Sequence, residues 1–258
     1  MPTWSSPAEI AQDSTIFVKF THALLGVYAW EWLISLHFDW QVLTGRKPFR
    51  WPLIFYFANR YLLLGTMVGI AIAFDTDRRL DCQALFTFNS FTGEAAVGLA
   101  SLNLSIRTIA IWSQAQWIKT FLAVIILGHW CLIFSGVLLK SVWSPELNTC
   151  IILETNTRII SATYTYTMCF DLTICLLNTY KLSQRGGKTT LSKLLFQDGL
   201  VYFVVAFLAN LVATVFMMLG LNPIMSVMFN VPAAIGSSIV ATRAVRRLTK
   251  FTNKGPEI

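Results

Sequence analysis

The sequence predicts an all-α fold: a bundle of seven transmembrane helices, N-terminus outside and C-terminus in the cytosol. Three observations predict it. Of the 258 residues, 55% are hydrophobic and only 13% charged, where a soluble domain carries roughly 25% charged residues. Seven windows are apolar for long enough to cross a hydrocarbon core of about 30 Å, which takes about 20 helical residues. The lysines and arginines collect in alternate connections, as the positive-inside rule requires. No composition break divides the chain, so residues 1–258 read as one domain, with 1–15 an outer segment and 245–258 a basic cytosolic tail. The net charge of +7 resides in the loops and calls for no nucleic-acid partner. Residues 1–15 lack the basic n-region and small-residue cleavage site of a signal peptide. The membrane is expected to be either the plasma membrane or the endoplasmic reticulum.

The first two windows, 16–38 and 51–74, form a hairpin around a basic turn bearing Arg46, Lys47 and Arg50. Each contains a charge that lipid disfavours, Glu31 in the first and Arg60 in the second. At 1.5 Å per residue, Glu31 lies about 10 Å and Arg60 about 13 Å from the inner end. Matched depth on neighbouring helices predicts a Glu31–Arg60 ion pair clamping the hairpin.

The third window, 84–112, holds Glu94 among Asn89, Ser90, Thr92, Gly93, Gly98, Ser101, Asn103 and Ser105. So polar a span reads as a central helix or a cavity wall, and small residues also serve close packing. Arg107, near its inner end, can snorkel or meet Asp39 or Asp198. The fourth and fifth windows are 121–139 and 159–182, with Asp171 inside the fifth. Asp171 has no basic neighbour on its own helix and matches Glu31 and Arg60 in depth, so the three are expected to form one polar focus. The sixth window, 200–219, carries Asn210 at mid-depth, and the seventh, 223–244, carries Asn230 just before Pro232. A proline there removes a backbone donor and predicts a kink.

With these spans, fourteen of the twenty basic residues fall on one side of the membrane. Cys82 and Cys150 then sit in the outer connections, the only cysteines placed to meet an oxidising compartment, and are expected to bridge. His22, His37 and His129 lie at different depths without metal-ligand spacing, so no metal and no cofactor is expected. RGGKTT at 185–190 lacks the first glycine of a phosphate-binding loop and reads as a basic cytosolic loop. Asp75, Asp77 and Asp81 are interleaved with Arg78 and Arg79 and read as a solvated outer loop.

The run YAWEWLISLHFDWQVLTGRKPFRWPLIFYFANRY at 28–61 resembles the opening hairpin of a large group of multi-pass proteins from mushroom-forming fungi. The resemblance continues through DCQ at 81–83, SIRTIAIW at 105–112, SVWSPELNTC at 141–150 and PAAIGSSIVATR at 232–243. It implies seven helices and no particular activity. A bundle whose third helix is tied by a cystine to the following outer loop also looks loosely like a rhodopsin-type receptor. That likeness is one of fold alone. The chain lacks an acidic residue immediately before Arg107 and the usual Asn-Pro order in the last span, so G-protein coupling is not carried over.

Three functions are compatible with this pattern. The first is a receptor- or sensor-like bundle holding a small lipophilic ligand in contact with Asp171, Glu94, Asn210 and Asn230. The second is an intramembrane enzyme, for example an acid-initiated isoprenoid cyclase in a secondary-metabolite pathway, with Asp171 or Glu94 as proton donor. The third is a transporter, for which inverted repeats would argue and none is visible. The partners expected are membrane lipid and the lipophilic ligand or substrate.

Overall fold

A computed structural model describes residues 6–76, 81–112, 115–136, 139–144, 149–155, 157–184 and 190–253. Asp77, Arg78 and Arg79, most of the RGGKTT loop, the outermost N-terminal residues and the tail beyond Asn253 lie outside the described residues. The chain folds as α1 (Pro7–Leu43), α2 (Pro52–Asp75), α3 (Cys82–Ile111) and α4 (Gln116–Gly136). A hairpin of β1 (Leu139–Ser144) and β2 (Thr149–Thr155) follows. Then come α5 (Thr157–Gln184), α6 (Thr190–Leu219), α7 (Pro223–Met228) and α8 (Asn230–Asn253).

Among the described residues six helices are long and apolar enough to cross a membrane: α2, α3, α4, α5, α6 and the α7–α8 unit. They make this a multi-pass membrane protein in contact with lipid. α1 is the longest helix at 37 residues. It carries Lys19, His22, Glu31, His37 and Asp39 and stands outside that set.

α3 is the central helix, as its small and polar residues led us to expect. Of its spanning window 61% is buried, against 22–44% for the other five. Small side chains let α2 approach it closely. A Cβ on Gly69 would lie 2.0 Å from Asn89 Oδ1, so only glycine fits with that side chain in place. Beside it, Thr66 donates to Thr92 across the helices at 2.7 Å.

Local chemistry sets the ends. Ser6, Asp81 and Asn222 cap α1, α3 and α7, each accepting from the backbone N–H three residues on. Gly45 and Gly220 end α1 and α6 in the left-handed region, at φ 72° and 56°.

Several features differ from expectation. The fourth helix stops at Gly136 instead of 139, and Leu139 opens β1. The outer connection is an antiparallel hairpin, pairing Trp143 with Cys150 and Ser144 with Thr149. The last span is broken, not merely kinked, at Phe229. Pro232 cannot donate to the carbonyl four residues back, at Met228, and the helix restarts at Asn230. α8 also runs on to Asn253, so the basic tail is helical as far as it is described, and most of the segment before 16 belongs to α1.

Candidate functional site

Charges toward the α1–α2 turn pair differently from the clamp expected. Glu31 faces α8. It accepts from Arg243 Nη2 at 2.5 Å and Nε at 3.0 Å, and from Arg246 Nη2 at 2.7 Å. Arg60 pairs with Asp39, 3.2 Å away. In place of the expected Glu31–Arg60 pair, Glu31 pairs with Arg243 and Arg246, and Arg60 with Asp39. The cause is side-chain direction, since side chains lean toward the N-terminus of their own helix. α1 and α2 run in opposite directions, so Arg60 leans inward to Asp39 while Glu31 leans outward. Arg60 is further held by Tyr56, Ser35 and the Trp32 carbonyl, and Tyr56 donates to Asp39 at 2.8 Å.

Asp171 does not join that focus. It lies in a second polar cluster built on a heptad register between α3 and α5. Ser101 donates to Asp171 at 3.0 Å, and Asn178 donates to Thr108 at 2.9 Å. Both pairs span 70 positions, and the rungs lie seven residues apart on each helix. Two helices running the same way hold a constant face under such a repeat. One heptad outward, at the same offset, the rung is Glu94 and Tyr164, close enough to act on one another electrostatically.

The middle rung is the hub. Asn210 of α6 donates to Asp171 at 2.6 Å and to Ser237 of α8 at 3.1 Å. Both oxygens of Asp171 thus accept from protein donors. Asp171, Asn210, Ser101 and Ser237 are all buried. Four helices meet there, and a buried carboxylate so satisfied fixes their register.

The outer rung is different. Glu94 and Tyr164 are half-buried. The Glu94 carboxyl makes no hydrogen bond among the described residues. Asn230 lies one heptad outward of Ser237 on α8, which puts it about 10 Å from the hub at the level of Glu94. Its Oδ1 is buried without a partner. The helix break at Phe229 adds irregular backbone at the same level, which membranes tolerate where it lines a cavity. Phe229 stacks against Phe216 of α6, ring centroids 4.2 Å apart. Above lies the hairpin, held by the Cys82–Cys150 disulfide, whose Cα atoms are 5.7 Å apart. Gln83 Oε1 adds a bond from the Ser141 amide at 2.9 Å.

The four residues expected at a ligand site therefore split. Glu94 and Asn230 carry polar atoms without a hydrogen bond among the described residues, while Asp171 and Asn210 bond in the hub, where Asn210 Oδ1 is left unpaired. Tyr164, Ser101 and Ser237 were missed, as were Asp39, Arg243 and Arg246. The heptad spacing of 94, 101 and 108 against 164, 171 and 178 was the signal available for the first of these. His22 and His129 join helices, bonding Asp75 and Thr167. His37 bonds Gln41 of its own helix. Arg107 lies over the rings of Tyr202 and Phe203, Asp39 pairs with Arg60 instead, and the side chain of Asp198 lies outside the described residues. Among the described residues no three His, Cys, Asp or Glu side chains come together as a metal site. No protein-family model matches the chain, and no curated protein matches its sequence.

Proposed function

We propose that the chain is a receptor- or sensor-like bundle of seven spans, α1 included, with the N-terminus outside and the C-terminus in the cytosol. Its ligand is a small lipophilic molecule carrying a hydrogen-bonding group. The observation that supports this reading best is the outer rung. A carboxyl, a phenol and an amide oxygen without a hydrogen bond among the described residues stand above a hub in which both oxygens of Asp171 are bonded. Buried polar groups without partners are costly, and a ligand that supplies them recovers that energy. The hairpin is tied to α3 at this end of the bundle, and the hub beneath ties α3, α5, α6 and α8 to one another.

An enzyme acting on a lipophilic substrate is the second reading, and one observation favours a particular form of it. Glu94 is an acid that makes no hydrogen bond among the described residues, whereas both oxygens of Asp171 are occupied. A proton donor would be Glu94, not Asp171.

Extraction of the purified full-length chain, followed by mass spectrometry of what co-purifies, tests both. The sensor reading expects one lipophilic compound, returned unchanged after incubation. Its retention should fall about tenfold in Glu94→Gln, the worth of one hydrogen bond to a charged group. A compound converted by the native chain but not by Glu94→Gln would replace sensor by enzyme. Equal retention by both proteins would remove the outer rung from the site.

A further inference from the structure

At the other end of the bundle, beside the basic turn, α2, α3 and α8 part around a small cavity of about 120 Å³. Arg50, Leu53, Asn103, Arg107, Val245 and Leu248 are among its walls. Among the described residues Arg107 Nη1 is buried and has no hydrogen-bond partner, and neither has Asn103 Oδ1. The guanidinium is held over Tyr202 and Phe203, ring centroids 5.8 and 5.7 Å away. Those rings orient it and steady its charge but offer no lone pair to the idle N–H. No carboxylate lines the cavity among the described residues. Two guanidiniums, a donor without an acceptor and an acceptor without a donor share one space.

We propose that this cavity binds the monoester phosphate of an anionic glycerophospholipid. Phosphate oxygens match the planar fork of Arg107 and can be shared with Arg50. A protonated phosphate hydroxyl is the donor that Asn103 Oδ1 lacks. The volume suits one phosphate group better than a large sugar head group. The lipid origin follows from depth and lining. Arg107 lies about 38 Å along α3 from Cys82, beyond the hydrocarbon core of about 30 Å and level with head groups. Leu53, Val245 and Leu248 line the same cavity and suit the glycerol and first methylenes. Basic pockets between spanning helices are where phosphorylated head groups dock. The site is separate from the Glu94–Tyr164 rung and does not depend on what binds there.

Native mass spectrometry of the full-length chain in detergent tests this, with phosphatidic acid, phosphatidylcholine and inorganic phosphate added separately and in competition. Phosphatidic acid should be retained in preference to phosphatidylcholine and should resist inorganic phosphate at equal concentration. Arg107→Gln and Arg50→Gln should each lower its retention about tenfold, the worth of a charge-assisted hydrogen bond. Equal retention of the two lipids, or variants that retain phosphatidic acid like the native chain, would overturn the proposal. So would displacement by inorganic phosphate, which would mark a bare anion site. Should Arg107→Gln fail to fold, the exposed Arg50 carries the decision through Arg50→Gln.

Discussion

Arg60 and Asp39 are the pair on which a single substitution should tell most. Their side chains are 4% and 1% exposed. Removing one partner leaves the other charge buried, at a cost of about 3–5 kcal/mol. Asp39→Asn should therefore strongly lower the melting temperature of the detergent-solubilised chain. Glu31→Gln should lower it less, because the side chains of Arg243 and Arg246, 54% and 15% exposed, are less enclosed than those of Arg60 and Asp39. Exchanging the charges, Glu31→Arg with Arg60→Glu, should rescue nothing; restored stability would reinstate the clamp between those two residues. Depth alone suggested that clamp. Depth is legible from residue counts, but the lean of a long side chain along its helix adds several ångströms of opposite sign on antiparallel neighbours. Asp39 lies eight positions after Glu31 on nearly the same face of α1, and the direction of α2 selects it as the partner of Arg60.

At the scale of the helix, the α3–α5 seam is a polar ladder, and its rungs differ in consequence. Interhelical hydrogen bonds in membranes couple by about 0.6 kcal/mol, at most about 1.7. A double-mutant cycle of Thr108→Val and Asn178→Leu should return a coupling in that range. Asp171→Asn should be worse than either single change. An amide has one acceptor oxygen where Ser101 and Asn210 bring two donors, and a donor left idle costs about 1–3 kcal/mol. Thermal unfolding of the five proteins decides it, and a coupling indistinguishable from zero would leave the shared register of 70 without energetic meaning. The spans were legible here because lipid imposes length and apolarity. The hub's partners were not, because Ser101 and Ser237 are ordinary small residues that only a neighbouring helix makes significant. The outer hairpin was hidden for another reason: strands in a loop are decided by pairing with each other, and hydropathy does not register pairing.

For the whole molecule, the question left by six plainly apolar helices is whether α1 crosses the membrane or lies along it. Its surface argues for crossing. Val27, Trp30, Leu33, Ile34 and Trp40 form an exposed stripe, while Glu31, Ser35 and Asp39 face the bundle and are buried. A helix at the interface keeps its charged face toward water and its apolar face in lipid. α1 is arranged the other way round, polar toward protein and apolar outward, which only a hydrocarbon surround favours. Its 37 residues span about 55 Å, enough to cross a core of about 30 Å with turns to spare outside. Trp40 and Trp51, 62% and 63% exposed, flank the basic turn where an aromatic belt would lie. If α1 crosses, the turn with Arg46, Lys47 and Arg50 is cytosolic and the N-terminus is outside. If it lies on the surface, the N-terminus shares the side of that turn. An epitope tag before Pro7 should therefore be stained on intact cells when the chain is at their surface, and a tag after Ile258 only once they are permeabilised. Chains retained in an internal membrane give the same reading by protease protection in sealed vesicles. An N-terminal tag found on the cytosolic side, with the C-terminal tag there too, would reduce the bundle to six spans and leave α1 as a helix packed against its flank.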